Sequence, residues 1–143
     1  MVLLEQYINA DLPGFALGVK YLGTKYQNMR KVRGDGNCFY RAVLFAYLDQ
    51  LIILKNDSSD SLNARKAETE RLRILSCIIN SKELLIALGY SEIAFETFYD
   101  MFVVLIRDLF TNTREKLFSD FQENGDSNYY TWYMRLLTAG MPN

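Results

Sequence analysis

The most informative absence in this chain is histidine, since none of the 143 residues is one. Histidine is the usual general base near neutral pH and a frequent zinc ligand. The acidic residues show no metal-ligand spacing, and the two cysteines, Cys38 and Cys77, lie far apart in the sequence. We therefore expect no metal and no cofactor.

Cysteines and long apolar runs are also scarce. Two cysteines cannot form a disulfide framework, so we expect free thiols in a reducing compartment, the cytoplasm or also the nucleus. The first residues lack the basic stretch and apolar run of a signal peptide. Apolar runs such as 102–106 fall well short of the ~20 residues that cross a bilayer. We expect no association with membranes.

No excess of one charge is present, because 16 basic residues face 17 acidic ones and the net charge is −1. Without a basic block, nucleic acid is not an expected partner. Half of the residues are hydrophobic and 14% are aromatic, which is enough to form a core. The length corresponds to one domain, or part of one, over residues 1–143.

What the chain does contain is helical periodicity, with almost no alternating pattern typical of strands. Turn signals at 12–14 and at Gly23 divide the first thirty residues into a short helix or two. Asp60 and Ser61 are suited to cap a following helix, and Gly89 to end one. The predicted helices span about 38–54, 62–79, 82–88, 95–110, 113–121 and 128–139.

Three groups of apolar residues are expected to face the core. On the first helix of this series, Phe39, Val43, Ala46, Tyr47, Leu51 and Leu54 recur at helical spacing. The run from Phe95 to Leu109 also places its apolar residues on one face. Cys77 and the aromatic residues of 129–133 are interpreted as core residues as well.

The segment Gly34–Ala42 carries the strongest chemical signal. It places Cys38 at a glycine-flanked turn where a helix begins. Unpaired N–H groups and the positive end of the helix dipole favour a thiolate there, and the N–H groups at Cys38 and just before it could stabilise an oxyanion. Gly34 and Gly36 permit a sharp turn and a close approach of substrate. Spacing alone leaves a second interpretation open, in which Cys38 is a buried, inert thiol.

The string Asp35–Ala42 resembles the nucleophile motif of the ovarian-tumour class of cysteine peptidases, which cleave ubiquitin from proteins. The preceding 30–34 is similar to the otubain branch of that class. Later stretches agree with otubains in the same order, so that the resemblance covers about 21–140. These stretches are 82–90, 95–106, 117–121 and 133–140.

The resemblance implies roles for four residues of the turn. Cys38 matches the nucleophile. Asp35 matches an aspartate of the catalytic constellation, whose backbone would shape the oxyanion hole and whose carboxylate would hold the turn. A plain Asx-turn role for Asp35 is compatible with this. Gly36 and Asn37 would form the turn, with the Asn37 N–H near the oxyanion site.

The resemblance also implies an α+β fold, that of the papain-like cysteine peptidases. Otubains take their general base from a histidine near the C-terminus of the domain, oriented by a nearby Asn or Asp, and no residue here matches either. We therefore expect residues 1–143 to be the N-terminal, mostly helical part of one otubain-like domain, truncated before most of the β-sheet. Apolar faces that the sheet would cover should then form an exposed apolar patch of more than a few hundred Å².

The implied function is that of a deubiquitinase, which hydrolyses isopeptide bonds after the C-terminus of ubiquitin through a thioester on Cys38. Ubiquitin or polyubiquitin would be its substrate, although these residues alone should act very slowly without the histidine. The alternative is a catalytically dead otubain-like module that binds ubiquitin or ubiquitin-conjugating enzymes. A plain helical scaffold, with the motif as a relic, is a third possibility.

Overall fold

The structure, a computed structural model, describes residues 13–122 and 126–140. The chain divides into two compact units, 1–31 and 32–143, each of which is described by itself. The first unit contains helix α1 (Pro13–Lys25), which starts at a proline because that position needs no N–H donor. The turn predicted at Gly23 is wrong, since α1 continues through it; an interior glycine costs a helix only about 1 kcal/mol. Leu12, part of the other predicted turn, lies outside the described residues.

The second unit is built from helices packed on one another, and its described residues contain no strand. This confirms the predicted helical character. The helices are α2 (Cys38–Lys55), α3 (Ser61–Ala87), α4 (Glu92–Arg107), α5 (Arg114–Gln122) and α6 (Asp126–Gly140). The α6 helix packs along α4, α3 packs against both α2 and α4, and α5 contacts α2 and α6. Among the described residues, no helix combines the length and the apolar character needed to span a bilayer.

Helix α3 corrects one prediction, because the two helices expected over 62–79 and 82–88 are a single one. Ser81 does not break it: its buried hydroxyl donates to the Ile78 carbonyl at 2.6 Å and lies 2.7 Å from the hydroxyl of Tyr133. The predicted ends are confirmed. The Asp60 carboxylate accepts the Leu62 N–H at 2.8 Å, and Gly89 ends the helix with a φ of 90°.

Helix α2 buries a different face from the one predicted. Phe39 is 70% exposed and Val43 46%, whereas Leu44 and Leu48 are buried. Helix α2 carries apolar residues of its own on two opposite sides, so periodicity alone could not decide which side faces the core. Of the predicted face, Leu51 is buried and Leu54 partly so; Phe39, Val43, Ala46 and Tyr47 are exposed.

The core of this unit draws residues from all five of its helices, and much of its aromatic part lies between α4 and α6. The predicted inner face of α4 is confirmed, with Phe98 only partly buried. On α6, Tyr133 is completely buried among aromatic rings and Tyr130 is 5% exposed, which confirms the predicted core role of these two. Trp132 is 43% exposed and instead packs its ring at the edge of Phe98, 5.3 Å away. Fully or nearly buried on or just after α4 are Phe95, Phe102, Leu105, Ile106 and Leu109.

Cys77 is exposed, so the prediction that it belongs to the core is wrong. Its neighbour Ile78 takes the buried position instead, since successive residues of an α-helix point about 100° apart. The Cys77 sulfur lies 3.9 Å from Nη1 of Arg73. Cys77 borders an apolar groove of about 520 Å³ between α2, α3 and α6.

Candidate active site

The thiol of Cys38 is exposed at the first residue of α2. Directly before the helix, Gly36 adopts a φ of 80°, a left-handed conformation that favours glycine and lets the chain reverse into α2. The interpretation of Cys38 as a buried thiol is therefore wrong. An exposed thiol at the positive end of an 18-residue helix is placed to react with a substrate from solution.

Asp35 holds this turn with its carboxylate. Its Oδ1 accepts the Asn37 N–H at 3.0 Å, which confirms the predicted Asx turn. Both oxygens also accept from Arg41, each at 2.8 Å, and Oδ2 accepts from Arg33 at 3.0 Å. The hydrogen bonds from Arg41, joined by those from Asn37 and Arg33, outweigh partial desolvation and hold the pKa of Asp35 well below its usual range. Asp35 is thus ionised at neutral pH and unsuited to take a proton from Cys38.

Arg41 ties the turn to the start of α6. Although charged, its residue is only 3% exposed. Besides Asp35, its guanidinium donates to Ser127 Oγ at 3.3 Å and to Asn128 Oδ1 at 3.0 Å. Arg33 donates to the same Asn128 oxygen at 2.9 Å. A buried charge is tolerated only when it is paired and hydrogen-bonded, and Arg41 meets both conditions.

Arg41 belongs to the motif, yet sequence reasoning gave it no role. The spacing of Arg41 could have indicated its role, since Arg41, Leu44 and Leu48 lie at i, i+3 and i+7 on one face of α2. That face is buried, so a charged side chain occupies an otherwise apolar face. A lone arginine on such a face indicates a buried partner. Nothing in the sequence near Arg41 identifies Asn128, 87 residues away, as one of its partners.

Asn37, which precedes α2, is held from both ends. Its N–H is engaged by Asp35, and its side-chain Oδ1 accepts from Nη1 of Arg135 at 3.0 Å. The Asn37 N–H, which was predicted to serve the oxyanion site, is thus already committed to a partner. Hydrogen bonding within α2 begins with the Arg41 N–H on the Asn37 carbonyl at 3.0 Å. The N–H groups of 38–40 precede that bond and have no acceptor within the helix.

The groove described above lies on the α2 side that carries the exposed stripe of Val43 and Tyr47. Its lining is almost entirely apolar. The expectation of one continuous exposed apolar patch stays a prediction, to which this groove would contribute. No group of three or more metal-binding side chains occurs in the part of the chain that the structure describes.

Comparison with known proteins identifies the family to which the sequence of this chain belongs. The model of the Peptidase C65 otubain family matches residues 1–141. Ubiquitin thioesterase OTUB1 of Homo sapiens is 37% identical over 140 residues, which cover 97% of this chain and 46% of that protein. OVARIAN TUMOR DOMAIN-containing deubiquitinating enzyme 1 of Arabidopsis thaliana is 30% identical over 127 residues, covering 85% and 38%. The otubain-like ubiquitin thioesterase of Caenorhabditis elegans is 27% identical over 143 residues, covering 96% and 45%.

The chain thus spans less than half the length of these relatives, while the match runs over almost all of its own length. The resemblance seen in the turn and in the later helices is confirmed by a match that includes both. The chain belongs to the Peptidase C65 otubain family.

Proposed function

We propose that this chain supplies the nucleophile of a deubiquitinase, a cysteine peptidase specific for ubiquitin, with Cys38 attacking the carbonyl carbon at the C-terminus of ubiquitin. The observation that carries the proposal is the exposed Cys38 thiol at the start of α2, in a turn held by Asp35 and Arg41. The relatives' names, which describe ubiquitin thioesterases and a deubiquitinating enzyme, support the substrate class.

The proposed reaction has two stages. In the first, the Cys38 sulfur bonds to the carbonyl carbon, the isopeptide C–N bond breaks, and the thiol proton passes to the departing lysine amine. In the second, water adds to the thioester, the C–S bond breaks, and a proton returns to the sulfur. During both stages, negative charge on the substrate oxygen would be stabilised by N–H groups at the start of α2.

Proton transfer in this scheme needs a group that the 143 residues do not offer. They contain no histidine, and Asp35 remains ionised beside Arg41. We place the base, and the β-sheet of an α+β papain-like domain, in residues outside these 143. General acid–base help is typically worth about 10²–10⁴-fold, so these residues alone should turn over very slowly.

Ubiquitin vinyl sulfone tests the nucleophile directly, since a thiol adds across its C=C bond. Intact mass is expected to show one ubiquitin added at Cys38, and none in Cys38→Ala. Cys77→Ala is the matched control, because both thiols are exposed, and it should label like the unchanged protein. Labelling of only a longer, histidine-bearing chain would support a base outside the 143 residues. Absence of labelling in both chains would overturn the proposal.

A second candidate is an otubain-like module without catalysis that binds ubiquitin or ubiquitin-conjugating enzymes. The observation that favours it is the lack of histidine. Titration calorimetry of Cys38→Ala with polyubiquitin and with a ubiquitin-conjugating enzyme separates the two functions. Binding combined with no vinyl sulfone labelling of either chain length supports the module. For both functions the proposed location is the cytoplasm or nucleus, where the two thiols stay reduced.

A further inference from the structure

Asn37 stands at the N-cap of α2 but does not cap it. Asparagine is among the strongest N-cap residues, because its side-chain oxygen normally accepts the N–H two or three positions further on. Here the Asn37 side chain makes no cap hydrogen bond, and its backbone has φ −107° and ψ 7° instead of the extended conformation usual at an N-cap. Its oxygen is instead bound to Arg135 of α6 at 3.0 Å.

We infer that Arg135 is a positioning residue that holds the Asn37 side chain away from the end of α2. The N–H groups of Phe39 and Tyr40, which a capping asparagine would occupy, then stay open beside the Cys38 thiol. Their use by a substrate oxyanion rests on the proposed function; the control that Arg135 exerts over the cap does not.

Once released from Arg135, the Asn37 side-chain oxygen would compete with a substrate oxygen for the same N–H donors at the start of α2. Asn37 is 8% exposed as a residue and its bond to the exposed Arg135 is partly buried, so an Asn37 oxygen that lost this donor would favour another one. The donors that an N-cap asparagine normally reaches are here those of Phe39 and Tyr40, and they have no acceptor inside the helix. Capping would therefore satisfy Asn37 by occupying a donor that the proposed function assigns to the substrate oxyanion.

Amide hydrogen exchange, followed by NMR, tests this without ubiquitin. In Arg135→Ala, the Phe39 or Tyr40 amide should exchange roughly three- to tenfold more slowly, the effect of one added hydrogen bond. Adding Asn37→Ala removes the competing oxygen and should restore the original rate. Arg135→Lys, which keeps a donor, should resemble the unchanged protein. No slowing in Arg135→Ala, or slowing that persists in the double variant, would overturn the inference.

A second measurement addresses the oxyanion. Ubiquitin aldehyde adds the Cys38 sulfur to its carbonyl carbon and the thiol proton to its oxygen, which forms a hemithioacetal at the oxyanion position. Iodoacetamide alkylates the same sulfur through its CH2 carbon, with loss of iodide and of the thiol proton, and its carbonyl carbon is not attacked, so no tetrahedral oxygen centre forms. Arg135→Ala should weaken the hemithioacetal roughly three- to tenfold while alkylation changes little, and Asn37→Ala in the same chain should reverse the loss.

The outcomes separate the inference from the proposed function. If Arg135→Ala lowers hemithioacetal stability and the alkylation rate by the same factor, and Asn37→Ala reverses neither loss, Arg135 merely supports the turn and the inference fails. If the unchanged chain and a longer, histidine-bearing chain both form no hemithioacetal, the proposed function fails, and the exchange rates still decide whether Arg135 controls the cap.

Discussion

Helix α6 makes two kinds of contact, and they differ in what they contribute. In its middle, Tyr130 and Tyr133 pack against α4 through aromatic rings; the Tyr133 ring lies 5.8 Å from that of Phe102. At the Cys38 turn, the same helix acts through polar groups, with Asn128 binding Arg41 and Arg135 binding Asn37.

Aromatic burial tolerates small shifts because its free energy depends mainly on the area removed from water. Hydrogen bonds to a guanidinium depend on direction and distance, so they fix one arrangement of the turn. The comparison indicates that the α4–α6 contact mainly stabilises the fold, and that the α6–turn contact mainly sets where the Cys38 thiol lies. Each contact can be broken while the other is left in place.

Tyr133→Ala should give the largest loss of stability. Removing a side chain that is 0% exposed deletes its ring contacts and leaves a cavity, which typically costs about 3–5 kcal/mol. Urea unfolding followed by circular dichroism measures the free energy of unfolding. Tyr133→Phe is the matched control: it keeps the ring, loses only the hydroxyl paired with Ser81, and should cost about 1 kcal/mol. Equal losses in both variants would contradict a mainly aromatic contact.

Arg41→Ala should chiefly affect reactivity at the turn. Asp35 and Asn128 lose one of the two arginines that bind them both, and a displaced thiol reacts on the order of 10²-fold more slowly with ubiquitin vinyl sulfone. The rate of labelling at Cys38 provides the measurement, with circular dichroism to show that the helices persist. If Arg41→Ala does not fold, Arg41→Lys, which keeps the charge without the two-pronged pairing, tests the same geometry.

Arg33→Ala is the control for that prediction. It removes one hydrogen bond to Asp35 and one to Asn128 but leaves the bonds from Arg41 to both residues, so the labelling rate should fall much less. If the Arg33 and Arg41 variants slowed labelling equally, the turn would depend on total positive charge and not on the buried pairing.

Sequence patterns predicted the features that depend only on residues within one helix or one turn. The inner face of α4 follows from its spacing, because most of the residues on its other side are polar. The Asx turn at Asp35 and the helix end at Gly89 are local chemistry, confirmed by the Asn37 N–H bond and by a φ of 90°. The position of Cys38 at the first residue of α2 was predictable for the same reason.

Features that depend on a distant partner could not be predicted. Helix α2 is apolar on both sides, and only packing against α3 and α6 selects the side with Leu44 and Leu48. Ser81 lies in the predicted break between two helices. The bond that accommodates it inside α3 joins it to Tyr133, 52 residues away, and is not visible in the local sequence. The partners of Arg41 and Asn37 on α6 are further still along the chain, so the hydrogen bonds between the Cys38 turn and α6 could be identified only from the fold.

The smallest expected effect concerns pH. Because the pKa of Asp35 is lowered, the stabilisation that its carboxylate gives the turn is complete above its ordinary pKa of 3.8 and is lost only as the pH falls through the lower, folded value. The chemical shift of the Asn37 amide should therefore stay constant from about pH 8 to about pH 5. Asp35→Asn keeps an acceptor for that amide and should remove the change at acidic pH. A titration step between about pH 5 and 8 that disappears in Asp35→Asn would contradict this prediction. It would show that the guanidinium groups do not hold the Asp35 carboxylate, and that the turn is held less firmly than the packing of α4 against α6.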